Sequence, residues 1–152
     1  MHSIKSFIRK FTDAELPGFD DFNNVHKIGR KFFLVEPELL AFQQTIPEQP
    51  ELIGLFLGEE KKNFNPSLLL LGIVSETSEK KAFINGEAEW LFLCGRDVFD
   101  KNIVKANAKE GLVLVQNEKD ENLGMGKLMQ GQKGLFIKNI LDKGAYLRDE
   151  GK

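Results

Sequence analysis

Residues 111–140, GLVLVQNEKDENLGMGKLMQGQKGLFIKNI, place apolar stretches of strand length between short polar ones. Val, Leu, Ile and Phe dominate the apolar parts, and Asn, Asp, Glu, Gln and Gly the rest, which is the pattern of strands joined by turns. GLVLVQNEKDENLGMGKLM therefore predicts a hairpin with a polar turn, and GLFIKNI a last core strand. Inside it, LGMGKL has the look of a nucleotide loop. A phosphate loop needs GxxxxGK followed by Ser or Thr, because the hydroxyl binds magnesium while the amides cradle phosphate. Neither the spacing nor the hydroxyl is present. A dinucleotide loop would need a third glycine opening a helix, whereas Leu128 and Met129 continue a strand pattern. Gly124 and Gly126 are thus read as a bulge or sharp bend in a strand.

The same punctuation extends back to Ala82. AFINGEAEWLFLCG reads as two strands about a turn at Gly86, and RDVFDKNIVKANA as a short helix with Val98, Phe99, Ile103 and Val104 on one face. Several short strands and one helix in so few residues predict a small, partly closed barrel. The N-terminal text differs. FIRKFTDAELPGF has the Phe7, Ile8, Phe11 spacing of an amphipathic helix, ended by Pro17 and Gly18. A strand around Phe32 to Val35 precedes a helix from about Pro37, and an apolar segment spans Leu52 to Leu57. PSLLLLGIV reads as a buried strand. The polar SETSEKK divides the two styles, which sets a domain boundary near residue 79: an α/β domain over 1–79 and a barrel over 80–152. The expected class is α+β.

Composition limits what this chain does. Hydrophobic residues make up 41% and charged residues 29%, the balance of a folded soluble domain. The longest apolar run, Leu68 to Val74, is far below the roughly 20 residues of a membrane helix, so no membrane partner is expected. Lys5, Arg9 and Lys10 interrupt the apolar residues near the start, which argues against a signal peptide and for a cytoplasmic protein, nucleolar in a eukaryote. One cysteine excludes an internal disulfide and a CxxC zinc site. Residues 1–79 hold 8 Lys/Arg and 12 Asp/Glu, residues 80–152 hold 13 and 11, and Asn122 to Arg148 carries five cations against Asp142 alone. Opposite signs in the two halves point to a charged partner for one of them.

Catalysis finds no support. His2 lies at a terminus and His26 in a polar turn; Cys94, at the end of an apolar stretch, is expected to be a buried, quiet thiol. Asp20 and Asp21, like Glu59 and Glu60, sit in polar stretches and read as solvated loops. No metal site, cofactor or nucleophile constellation emerges, so the protein is read as a non-enzyme. The lysines remain. Lys138 interrupts GLFIKNIL where packing favours an apolar residue, and Lys127 and Lys133 flank the acid-free loop that contains Gln132. RNA phosphates reward such an arrangement through counterion release, whatever the base sequence. Lys127, Gln132, Lys133 and Lys138 are the candidate RNA-facing residues, with Arg96 and Lys105 as the alternative surface. Aromatic content on that face reads as low, so base stacking is not expected.

GLVLVQNEKDENLGMGKLM followed by KGLFIKNILDKGAYLR resembles the PUA domain, a mixed-strand pseudobarrel that binds structured RNA, and FLCGRDVF matches its early glycine. INGEAEWLFLCGRDVFDKNIVKAN, DENLGMG and DKGAYLR together resemble the Nip-seven ribosome-biogenesis family; RKFFLVEPELLAF and KKNFNPS extend the likeness forward. The resemblance implies an N-terminal α/β domain and a C-terminal PUA domain. It further implies a monomeric, non-catalytic factor for large ribosomal subunit assembly that binds precursor rRNA and other assembly proteins. DKNIV departs from the Pro-Gly or Ser-Gly that commonly precedes an isoleucine in PUA domains. Two other readings remain open at this point: a protein-interaction module using the acidic N-terminal half, and the specificity subunit of an RNA-modification enzyme.

Overall fold

The computed structural model describes residues 1–37, 54–145 and 148. The chain is α+β and divides into two compact units, Met1–Thr77 and Ser78–Lys152. The first unit opens with α1 (His2–Arg9), whose Ile4, Phe7 and Ile8 fall on one face and are buried. The helix ends at Lys10, well before Pro17. A four-stranded antiparallel sheet follows in the order β1 (Val25–Ile28), β2 (Lys31–Leu34), β3 (Leu55–Glu60), β4 (Phe64–Pro66). Phenylalanines fill its core. Phe64 packs against Phe7 at 5.2 Å and Phe32 at 5.8 Å between ring centroids, edge-on or tilted as ring quadrupoles prefer. Beyond Pro37 itself, the helix expected from about that residue lies outside the described residues, as does the start of the apolar segment at Leu52.

PSLLLLGIV is not a strand. It forms α2 (Leu68–Ser75), because the Ser67 hydroxyl accepts the Leu70 amide at 3.1 Å and supplies an N-cap. Leu70, Leu71 and Val74 then share the buried face, and Leu69 is exposed. A short apolar run has no period that separates the two structures, and the cap decides between them.

The second unit is a six-stranded sheet in the order β6-β10-β9-β8-β5-β7. Its strands are β5 (Lys81–Ile84), β6 (Val98–Phe99), β7 (Ile103–Ala106), β8 (Gly111–Gln116), β9 (Asn122–Gly131) and β10 (Gly134–Asp142). Only the β5–β8 pair is parallel among the described pairings. The connection from β5 passes through α3 (Gly86–Leu93), capped by the Asn85 side chain on the Ala88 amide and carrying Glu87 and Glu89 in its positive first turn. Thus AFINGEAEWLFLCG is one strand and one helix, not two strands. Ala88 and Phe92 of α3 pack with Ala82, Ile84, Val98, Val113, Val115, Leu128 and Ile137 on the inner face of the sheet.

Two further expectations are corrected. Residues 98–106 are β6, a 3-10 turn at Asp100–Asn102 and β7, not a helix. Cys94 caps the C-terminus of α3 and is exposed, not buried in a strand. The β8–β9 hairpin and the final strand β10 form as the sequence predicts. The sheet bends at Gly124, where a Cβ would overlap the carbonyl oxygen of Leu141 and φ is +148°. Register shifts flank it, between Asn139 and Leu141 on β10 and between Val115 and Gln116 on β8. Glycine belongs there because the strands cross closely, so the glycines of LGMGKL serve packing in the sheet.

Candidate nucleic-acid interface

Side chains directly opposite in an antiparallel pair share one face of the sheet. In the β9–β10 hairpin Lys127 stands opposite Lys138, and Met129 opposite Phe136; Phe136 is in turn opposite Phe99 of β6. Ile137 and Leu128 point the other way, into the core. The outer face therefore presents Phe99, Phe136, Met129, Lys138 and Lys127 in a continuous patch. Both lysines are exposed, and neither has an anionic partner among the described residues.

Gln132 and Lys133 form the two-residue tip of this hairpin, between paired Gly131 and Gly134. Those glycines are roughly 13 Å along the strands from the Lys127–Lys138 pair, at about 3.3 Å per residue, and the tip lies beyond them. The four predicted residues thus occupy one hairpin in two groups, a cross-strand pair and a tip. The tip borders a cleft of about 730 Å³ whose other walls include Phe99, Asp100, Lys101 and Phe136. Asp100 is its acid, with the carboxyl carbon 3.1 Å from the place a Cβ on Gly134 would take. The alternative pair is dispersed: Arg96 follows α3, where its carbonyl accepts from Asn139 at 3.4 Å, and Lys105 lies on β7, at the far edge from β6.

Aromatic residues on this face are the part that sequence reading missed. Phe99 is 62% exposed, although a solvent-facing phenylalanine gains nothing from water. Reading VFDKNIV as a helix turned Phe99 inward, whereas the β-preferring Val-Phe pair between Asp97 and Asp100 was the available signal. The patch supplies what single-stranded nucleic acid needs, an aromatic surface for a base beside cations for the backbone.

The other end of the unit is held by a buried carboxylate. Asp142, 2% exposed, receives both guanidinium nitrogens of Arg148 at 2.9 Å, and Arg148 also donates to the Leu93 carbonyl at 2.8 Å. The carbonyl is one that the end of α3 leaves without a helical partner. Among the described residues no group of three or more His, Cys, Asp or Glu side chains is placed to hold a metal ion, and no helix is long and apolar enough to cross a membrane.

A mixed six-stranded sheet with one helix packed into its core, and a basic and aromatic outer face, defines a pseudobarrel. Residues 80–151 match the UPF0113 PUA domain, and the second unit has the pseudobarrel fold of such domains. A UPF0113 protein from Archaeoglobus fulgidus is 30% identical over 66% of this chain and 64% of its own length, so the match spans less than two thirds of that relative. The structure of a conserved PUA domain protein from Thermoplasma acidophilum is similar in fold, with a TM-score of 0.50 and 21% identity over 62% of this chain and 69% of that one.

Proposed function

We propose that this protein is a non-catalytic RNA-binding factor that holds RNA backbone on the outer face of the β9–β10 hairpin. Its type of domain carries RNA-binding potential, and the Lys127–Lys138 pair is the observation that supports this face. Two like charges directly across a pair of strands repel each other and weaken the sheet. A phosphate seated between them removes that repulsion and releases condensed counterions from the RNA. Phe99 and Phe136 beside the pair extend the face toward an unpaired base. On the resemblance to the Nip-seven family, the RNA is precursor rRNA of the large ribosomal subunit and the protein acts with other assembly factors.

A Lys127→Ala, Lys138→Ala variant tests the face. Titrated with a structured RNA bearing a single-stranded flank at several salt concentrations, it is expected to bind more weakly. Its log–log salt slope should be smaller by about 1.5 units, at roughly 0.7 to 0.9 per contact. A folded variant with unchanged affinity and slope would show that the face is wrong. The ribosomal assignment is tested separately, by crosslinking in cells and sequencing the attached RNA; recovery without enrichment of precursor rRNA would remove that part alone.

A further inference from the structure

The first unit is acidic, with eight Lys/Arg against eleven Asp/Glu over Met1–Thr77. Five of those eight cations nevertheless gather at one end of its sheet. Lys27, Arg30 and Lys31 come from the β1–β2 hairpin, and Lys61 and Lys62 from the turn joining β3 to β4. The backbone places them together. Glu60 donates its amide to the Arg30 carbonyl at 2.7 Å, and Lys31 stands opposite Glu59 in the β2–β3 pair.

Two acids accompany the five cations, and their neutralising effect is limited. Glu60 binds Lys27 at 2.7 Å, and the same ammonium lies 5.5 Å from the centre of the Phe32 ring. The hydrogen bond and charge of Lys27 lower the pKa of the Glu60 carboxyl, so this acid is matched by one of the five cations. Glu59 reaches Lys61 only at 4.0 Å. Arg30, Lys31 and Lys62 have no anionic partner among the described residues. Lys27, Arg30, Glu60, Lys61 and Lys62 line a cleft of about 420 Å³.

We propose that these two turns form a second RNA-backbone site, separate from the PUA face and resting on the RNA-binding reading of the chain. The cleft lining lacks an apolar anchor of the kind that dominates protein interfaces, which favours a polyanion over a folded protein partner. Arg30 offers a planar fork for phosphate oxygens, and Lys61 and Lys62 act as point charges beside it. Bases need not be read there, because backbone contacts fix position without carrying sequence.

The test uses the full chain. An Arg30→Gln, Lys61→Gln, Lys62→Gln variant alters only exposed side chains, and a thermal melt checks its fold. With the structured RNA carrying a single-stranded flank, its log–log salt slope should be smaller by about two units, for three lost contacts at roughly 0.7 each. Combined with Lys127→Ala and Lys138→Ala, the two slope changes should add. If the triple variant keeps wild-type affinity and slope while the PUA-face variant loses both, the second site is overturned and the first stands. If the triple variant alone loses slope, the second site stands and the PUA face fails. Loss of binding to phosphatidylserine vesicles with RNA affinity unchanged would assign the patch to membranes and overturn the proposal. Absence of RNA binding by the unaltered chain would overturn both.

Discussion

Asp120 shows how one residue joins several parts of the second unit. It lies in the β8–β9 turn with φ +61°, a conformation that Asp and Asn tolerate better than other side chains. Its carboxylate accepts from the buried Gln116 amide at 3.0 Å and from Lys81 of β5 at 3.0 Å. The Gln116 hydrogen bond, followed by that of Lys81, lowers the Asp120 pKa. A carboxyl whose folded pKa is depressed contributes stability above its unfolded pKa, near 3.9, and that contribution is lost as pH falls through the folded value. Asp120→Asn keeps the backbone conformation and removes the charge. Near neutral pH it is expected to melt below the wild type, and the difference should narrow at a pH well below the unfolded value of about 3.9. Denaturation at both pH values checks this, and a gap that persists or widens in acid would contradict it. Gln116 and Asp120 are only four residues apart, yet nothing in QNEKD distinguishes a bonded pair from two solvated groups.

Among the elements, the β8–β9 hairpin and the last strand β10 were legible because apolar stretches of strand length are separated by polar turns. The short helices were not. LLLL and EAEWLFL carry large apolar residues on the exposed side too, Leu69 and Trp90, which erases the periodicity that distinguishes helix from strand. The information was in the caps instead: Ser67 and Asn85, each three residues ahead of the amide it receives. Misreading α3 carried Cys94 into a strand, and misreading residues 98–106 concealed Phe99. At Gly124 the sequence does carry the answer, because strand bends that admit close backbone approach require glycine. Gly124→Ala forces a methyl group into the Leu141 carbonyl at a left-handed φ, where neighbouring backbone has little freedom to move. It is expected to destabilise the second unit by about 3 kcal/mol or more. Chemical denaturation measures the loss, and a change within about 0.5 kcal/mol, typical of a neutral surface site, would rule out the packing role.

On the scale of the whole molecule, the second unit has a core cluster of its own. All ten buried residues of the second core cluster, Ala82 to Ile137, belong to Ser78–Lys152. A fragment of residues 78–152 is therefore expected to fold alone and melt in one cooperative transition, although chains of about 60 to 80 residues are only marginally stable. A broad, non-cooperative melt would show that its core is insufficient. The charge difference between the halves was plain in the sequence, but the gathering of cations at two turns of an acidic unit needed the strand register to bring residues 30 and 62 together. Strand order has another consequence, for life in a crowded solution. The outermost described strands, β1, β4, β6 and β7, are four residues long or shorter, and β1 and β7 carry an exposed lysine at Lys27 and Lys105. Such borders give a neighbouring chain too little flat, unpaired backbone to extend the sheet, which protects a strand-rich protein from edge-to-edge aggregation while its basic faces stay exposed.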